Sequence, residues 1–210
     1  MASDKKQALT QFHRQAIINA AGRLFMEYGI AATTMEDIAK EAGYSKSTVY
    51  NYFGSKIEIN NAIAWYAMAL LGDRVIEALD SREDFHEQYD AMCEAMIEYQ
   101  RDFPYYFKRL TERIDYSIDS NGESPWLHEV FVVGERMTNA VRSFFRRGME
   151  LGILREELPV HRVYLVLWFA MSGFIQVSDY KRTYITQTLD TTQEEFVRYG
   201  LKVLLRAYEK

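Results

Sequence analysis

The chain has 210 residues, 48% hydrophobic and 26% charged, and sets 25 Lys and Arg against 30 Asp and Glu for a formal net charge of −5. That length supports a sizeable core in one large domain or two smaller ones, while three Pro and eleven Gly exclude extensive disordered linkers. The single cysteine, Cys93, excludes an intrachain disulfide framework and suits a reducing compartment.

Leu, Ile, Met, Ala, Glu, Arg and Gln recur throughout and alternating β-branched runs are scarce, so the expected fold is all-α. Residues 11–28 set Ile17, Ala21, Leu24 and Phe25 at helical spacing, with Gly29 as the stop. Thr33 and Thr34 then offer a hydroxyl cap, answered three residues later by an acidic side chain. The helix this starts carries Met35, Ile38, Ala39 and Ala42 on one stripe and breaks at Gly43. Ser45 caps a third short helix over 46–53, whose Val49 and Phe53 lie one turn apart and face the first two. Gly54 and Ser55 end it, and Lys56 opens a fourth helix to about residue 71.

Beyond this, helices are expected over 84–103 and 104–118, divided by Pro104, with a loop over 119–125 and a long helix over 126–151 that Gly152 stops. Pro159 introduces a segment apolar nearly all round to Ile175, which predicts a helix buried on most faces. The last helix, 192–208, places Val197, Leu201, Leu204, Leu205 and Tyr208 along one side. The longest unbroken apolar run is nine residues, Val163 to Met171, against about 20 for a membrane span, and the polar first residues lack a secretory signal. A soluble, cytoplasmic protein is expected.

Two short helices joined by a Gly-containing turn form the unit that sets its second helix into a major groove. The net acidity argues against a nucleic-acid partner, but it is uneven. Residues 1–60 hold seven Lys and Arg against six Asp and Glu, and the rest holds 18 against 24. On the third helix the exposed side chains near the N-terminus are Lys46, Ser47, Thr48 and Asn51, with Tyr44 just before the Ser45 cap. Lys46 can donate to guanine, Asn51 can pair with adenine, and the Thr48 methyl can touch thymine.

The spaced features Ala20-Ala21, Leu24-Phe25, Gly29, the Thr-Thr cap, Ile38-Ala39, Ala42-Gly43, Ser45-Lys46, Thr48, Tyr50, Tyr52-Phe53 and Ser55-Lys56 recur together over residues 14–58. This stretch closely resembles the DNA-binding domain of the tetracycline-repressor (TetR) family. The resemblance implies that Tyr50 and Tyr52 present hydroxyls to phosphate or base edges, that Thr34 offers phosphate a hydroxyl and a helix amide, and that Lys56 holds phosphate at the start of the fourth helix. The chain departs from the commonest family pattern at Tyr44, Ser47 and Asn51, which leaves the operator sequence open.

The resemblance also implies a three-helix DNA-binding domain over 1–58, a helical ligand-binding and dimerisation domain over 59–210, and a homodimer through the last two helices. Two recognition helices related by a two-fold axis would read a pseudopalindrome on double-stranded DNA. For the larger part the family layout suggests a pocket for a small, largely apolar effector, with Tyr66, Phe103, Phe107, Leu110, Trp126, Phe131, Met137, Trp168 and Met171 as candidate lining. Most relatives are repressors.

Rival readings are control by a protein partner, or a helical small-molecule carrier that does not use DNA. His86, Asp90 and Cys93 fall at i, i+4 and i+7 of one helix, a ligand-like spacing, but no second cluster completes a metal set, and a polar face with one buried cysteine is the expected arrangement. No phosphate loop, nucleophile elbow or zinc-hydrolase motif is found, so no catalytic site, metal or cofactor is expected.

Overall fold

The computed structural model describes residues 2–112 and 125–210, which form ten helices and no strand. The chain divides into two compact units. The first runs through Ala67 and includes the start of the seventh helix as far as Val130, and the second comprises the other described residues from Met68 onward. The division therefore falls inside a helix, nine residues beyond the boundary expected at 58.

In the first unit, α1 (Ala2–Ala32) starts well before the expected residue 11 and is interrupted where expected, at Gly29, whose φ of 80° and ψ of 158° are non-helical. Thr33 lies buried below that break and donates its hydroxyl to the Gly29 carbonyl at 2.9 Å. α2 (Met35–Ala42) opens with a reciprocal capping box. Thr34 Oγ1 accepts from the Asp37 amide at 3.2 Å and the Asp37 carboxylate accepts from the Thr34 amide at 2.9 Å. It closes at Gly43, left-handed at φ 74°, a conformation a Cβ would penalise.

α3 (Lys46–Tyr50) is three residues shorter than expected, although Val49 and Phe53 are buried as the spacing required. Ile17, Ala20, Ala21, Ile38 and Ala39 are buried in the same unit, a core of small and branched side chains that lets short helices approach closely. Trp126, in the opening turns of α7 (Pro125–Glu150), adds an indole against Trp65 and Phe53 at ring separations of 5.5 and 6.1 Å. Its Nε1 donates to Glu58 Oε1 at 3.3 Å.

The second unit takes the remainder of α4 (Lys56–Asp80), which runs nine residues past its expected end. Gly72 does not stop this helix. It faces α7, where a Cβ would stand in ordinary contact with Met137 Cβ at 3.6 Å, and Val75 and Leu79 extend the buried stripe. α5 (Phe85–Asp102) and α6 (Pro104–Thr111) meet at Pro104 as expected. The rest of the helix expected to 118, and most of the following loop, lie outside the described residues.

Phe85 is stacked on Phe144 at 4.4 Å, and Tyr89 donates its hydroxyl to the Leu201 carbonyl at 2.7 Å, tying α5 to α10 (Gln193–Arg206). A short α9 (Arg182–Leu189), not expected from the sequence, precedes α10. α8 (Val160–Tyr180) corrects an expectation. It buries Val163, Tyr164, Leu167, Met171 and Ile175, but Leu165, Val166, Phe169, Val177 and Tyr180 are exposed, so the helix is one-third buried rather than covered on most faces. It is long and apolar enough to cross a membrane by length and composition.

Candidate nucleic-acid interface and effector cavity

The Gly43 turn and the Ser45 cap fix how α3 is presented. Ser45 Oγ accepts from the Thr48 amide at 3.1 Å and lies 2.9 and 2.8 Å from the hydroxyls of Ser47 and Thr48. With Val49 and Phe53 anchored below, Lys46, Ser47, Tyr50 and Asn51 are left exposed on the opposite face, and Thr48 is half-buried. Lys46 rests 3.6 Å from Glu36, a solvated pair that constrains it little. The outward face thus carries hydroxyls, one amide and one mobile ammonium, a set able to read base edges.

Three of the expected DNA contacts are engaged within the fold. The hydroxyl of Thr34 donates to Asp37 Oδ2 at 2.6 Å, a bond that holds the Asp37 carboxyl below its usual range. Lys56, expected to hold phosphate, is the most fully engaged of the three. Its Nζ donates to the carbonyls of Ile30, Ala31 and Thr33 at 2.7, 3.0 and 2.9 Å, so all three ammonium hydrogens close the end of α1. The phenol of Tyr44 points back to α1, with Oη 2.7 Å from His13 Nδ1. The His13 ring also meets Tyr44 edge-on at 5.4 Å and Tyr52 at 5.6 Å. His13 was not among the residues expected to matter, because nothing local in α1 signals a partner 31 residues on.

In the second unit a cavity with about 20 Å³ of free space lies among α4, α5, α7 and α8, lined by Val75, Met92, Met96, Met137, Val141, Tyr164, Leu167, Trp168 and Met171. Of the expected lining it includes Met137, Trp168 and Met171. Phe103, Phe107 and Leu110 stand instead around α6, where Phe103 stacks on Tyr106 at 5.9 Å and carries the Arg74 guanidinium 5.1 Å over its ring. Phe131 is 67% exposed, and Tyr66 and Trp126 belong to the first unit. Met92 and Met96, outside the expected lining, stand one helical turn apart on α5, a periodic signal present in the sequence.

The spaced His86, Asp90 and Cys93 do not converge. His86 Nε2 lies 2.9 Å from Glu209, Asp90 pairs with Lys202 at 3.2 Å, and Cys93 is buried. No group of metal-ligating side chains occurs among the described residues.

This geometry agrees with comparisons to known proteins. Residues 17–63, spanning the last part of α1 to the first turns of α4, match the model of bacterial regulatory proteins of the tetR family. Residues 17–63 thus carry a TetR-type DNA-binding domain. The chain is 26% identical over 166 residues to the HTH-type transcriptional repressor AcnR of Corynebacterium efficiens, covering 77% of this chain and 79% of that one. The crystal structure of the TetR-family regulator PfmR from Thermus thermophilus superposes with a TM-score of 0.69 at 26% identity, over 90% of this chain and 97% of that one. SmeT, solved as a complex with triclosan, shares the fold at 24% identity with a TM-score of 0.64, over 94% of this chain and 92% of that one. The relatives are helix-turn-helix DNA-binding regulators by name rather than enzymes.

Proposed function

We propose that this chain is a homodimeric repressor that binds a pseudopalindromic operator in the cytoplasm and releases it when a small, largely apolar molecule enters the α5, α7 and α8 cavity. The observation that carries the reading is the outward face of α3, which exposes Lys46, Ser47, Tyr50 and Asn51 while Val49 and Phe53 hold the helix down. Lys46, Ser47, Thr48, Tyr50 and Asn51 are the proposed groove contacts, with Tyr44, Ser45, Tyr52 and the Thr34 end of α2 alongside. The reading domain is proposed over 1–58 and the effector and dimerisation domain over 59–210.

Dimerisation through α8 and α10 is supported by the apolar stripe Val166, Phe169, Val177 and Tyr180 on α8, with Tyr199 and Val203 on α10, all exposed in the single chain. The cavity holds little more than one water molecule in this state. Its four methionines are unbranched and can re-rotate to admit a larger apolar body. In this reading, occupancy favours a dimer whose two reading heads no longer match the operator spacing.

The test is footprinting of the purified chain on DNA flanking its own gene and on randomised selected DNA, beside Tyr50→Ala and Phe169→Glu. A protected pseudopalindrome, lost in the first variant and weakened in the second together with the dimer, supports the reading. Absence of protection on any DNA overturns it. If DNA binds but no apolar compound releases it, the effector part falls and control by a protein partner takes its place.

A further inference from the structure

The ring of His13 sits between the two tyrosines that flank α3 in sequence, Tyr44 on one side and Tyr52 on the other. Its two nitrogens have different fates. Nδ1 is held 2.7 Å from Tyr44 Oη. Among the described residues no hydrogen bond to Nε2 is found, and the residue is only half-buried. A phenol donating to Nδ1 leaves the ring proton on Nε2, because the bond made by one nitrogen sets the tautomer of the other. The Phe12 ring, edge-on at 5.7 Å, helps fix the imidazole plane.

We infer that His13 is a DNA phosphate ligand: Tyr44 locks its tautomer and orientation, and Nε2–H donates to a backbone phosphate beside the recognition helix. This rests on the DNA-binding reading above. It gives Tyr44 a role different from base contact, since its hydroxyl is directed to His13. It also supplies a phosphate donor on the reading surface, where Lys56 is occupied by the carbonyls of Ile30, Ala31 and Thr33. A phosphate contact of this kind fixes the position of the reading head and carries no sequence information.

The experiment is ethylation interference with the full chain on its selected operator, comparing the native protein with His13→Phe, which keeps a ring and removes both nitrogens, and His13→Gln, whose amide can accept from Tyr44 and donate outward. In His13→Phe, sensitivity to ethylation disappears at one phosphate in each half-site and dimer affinity falls about a hundredfold, about tenfold for each of the two hydrogen bonds to a charged group. His13→Gln keeps the native interference pattern and binds within about threefold of it. Should His13→Phe fold poorly, native protein on operator carrying a neutral methylphosphonate at that position gives the same test and must weaken about tenfold. An unchanged interference pattern in His13→Phe, or indifference to the methylphosphonate, overturns the inference while leaving DNA binding intact. Absence of operator binding by the native chain overturns both readings together.

Discussion

Replacing Lys56 by Met separates two roles for this residue. In the structure its ammonium closes three carbonyls at the end of α1, two in part-buried surroundings and one exposed. A fully buried hydrogen bond to a charged group contributes about 1.5–3 kcal/mol, and water can replace much of it at half-exposed sites. The three together give roughly 2–3 kcal/mol. For a protein of this size that lowers the thermal midpoint by about 5–10 °C. The measurement is a melt followed by circular dichroism without DNA, with Lys56→Arg as a partial rescue and the salt dependence of operator binding measured in parallel. An unchanged midpoint together with a salt slope smaller by about two, one for each subunit, would refute this reasoning and restore the phosphate contact implied by family resemblance.

Four further outcomes are expected. Gly148→Ala destabilises by about 1–3 kcal/mol despite better helix propensity, since its Cβ would stand 2.5 Å from Phe85, which the stacked Phe144 ring holds in place; a raised midpoint in a calorimetric scan would contradict this. The capping carboxylates of Asp37 and Glu195 are held below their ordinary values of 3.8 and 4.5 by bonds from Thr34 and Thr192. Their contribution is complete above the unfolded values and lost as pH falls through the lowered ones, so Asp37→Asn with Glu195→Gln flattens the stability profile below about pH 4.5. Burial pushes the Cys93 thiol well above its usual range, so alkylation at pH 8 proceeds only with unfolding, and rapid labelling of the native protein would contradict the burial. Arg109 is buried with its Nε unpartnered and no carboxylate in ion-pair range among the described residues; Arg109→Met therefore leaves the midpoint equal or higher.

The features legible from sequence were those set by local chemistry. The Thr34 and Asp37 capping box, the Gly43 turn, the Ser45 cap and the buried pair Val49 and Phe53 all follow from rules spanning four residues or fewer, and the structure reproduces each. Long-range placements were not legible. The carbonyls that hold Lys56 lie 23 to 26 residues before it, and the phenol that holds His13 lies 31 residues after it. Nor does an apolar helix disclose which side its own chain covers. The all-round apolar pattern of α8 predicted burial, yet Val166, Phe169 and Val177 face away from their own chain's core. The same ambiguity between core, cavity and surface applies to Phe131, which is exposed, and to Met92 and Met96, which line the cavity.

The short α3 has an implication for how such a chain diverges. Its position depends on one serine cap, one left-handed glycine and two side chains pointing inward. Neither Asn51 nor Tyr50 bears any of that burden through its side chain, and Lys46 contributes only a solvated pair. Exchanging these three leaves the scaffold's stability within a few tenths of a kcal/mol while changing most of the groups offered outward. A duplicated copy could therefore drift to a new address on the chromosome without first acquiring stabilising mutations, and a designer could retarget the protein by randomising three codons.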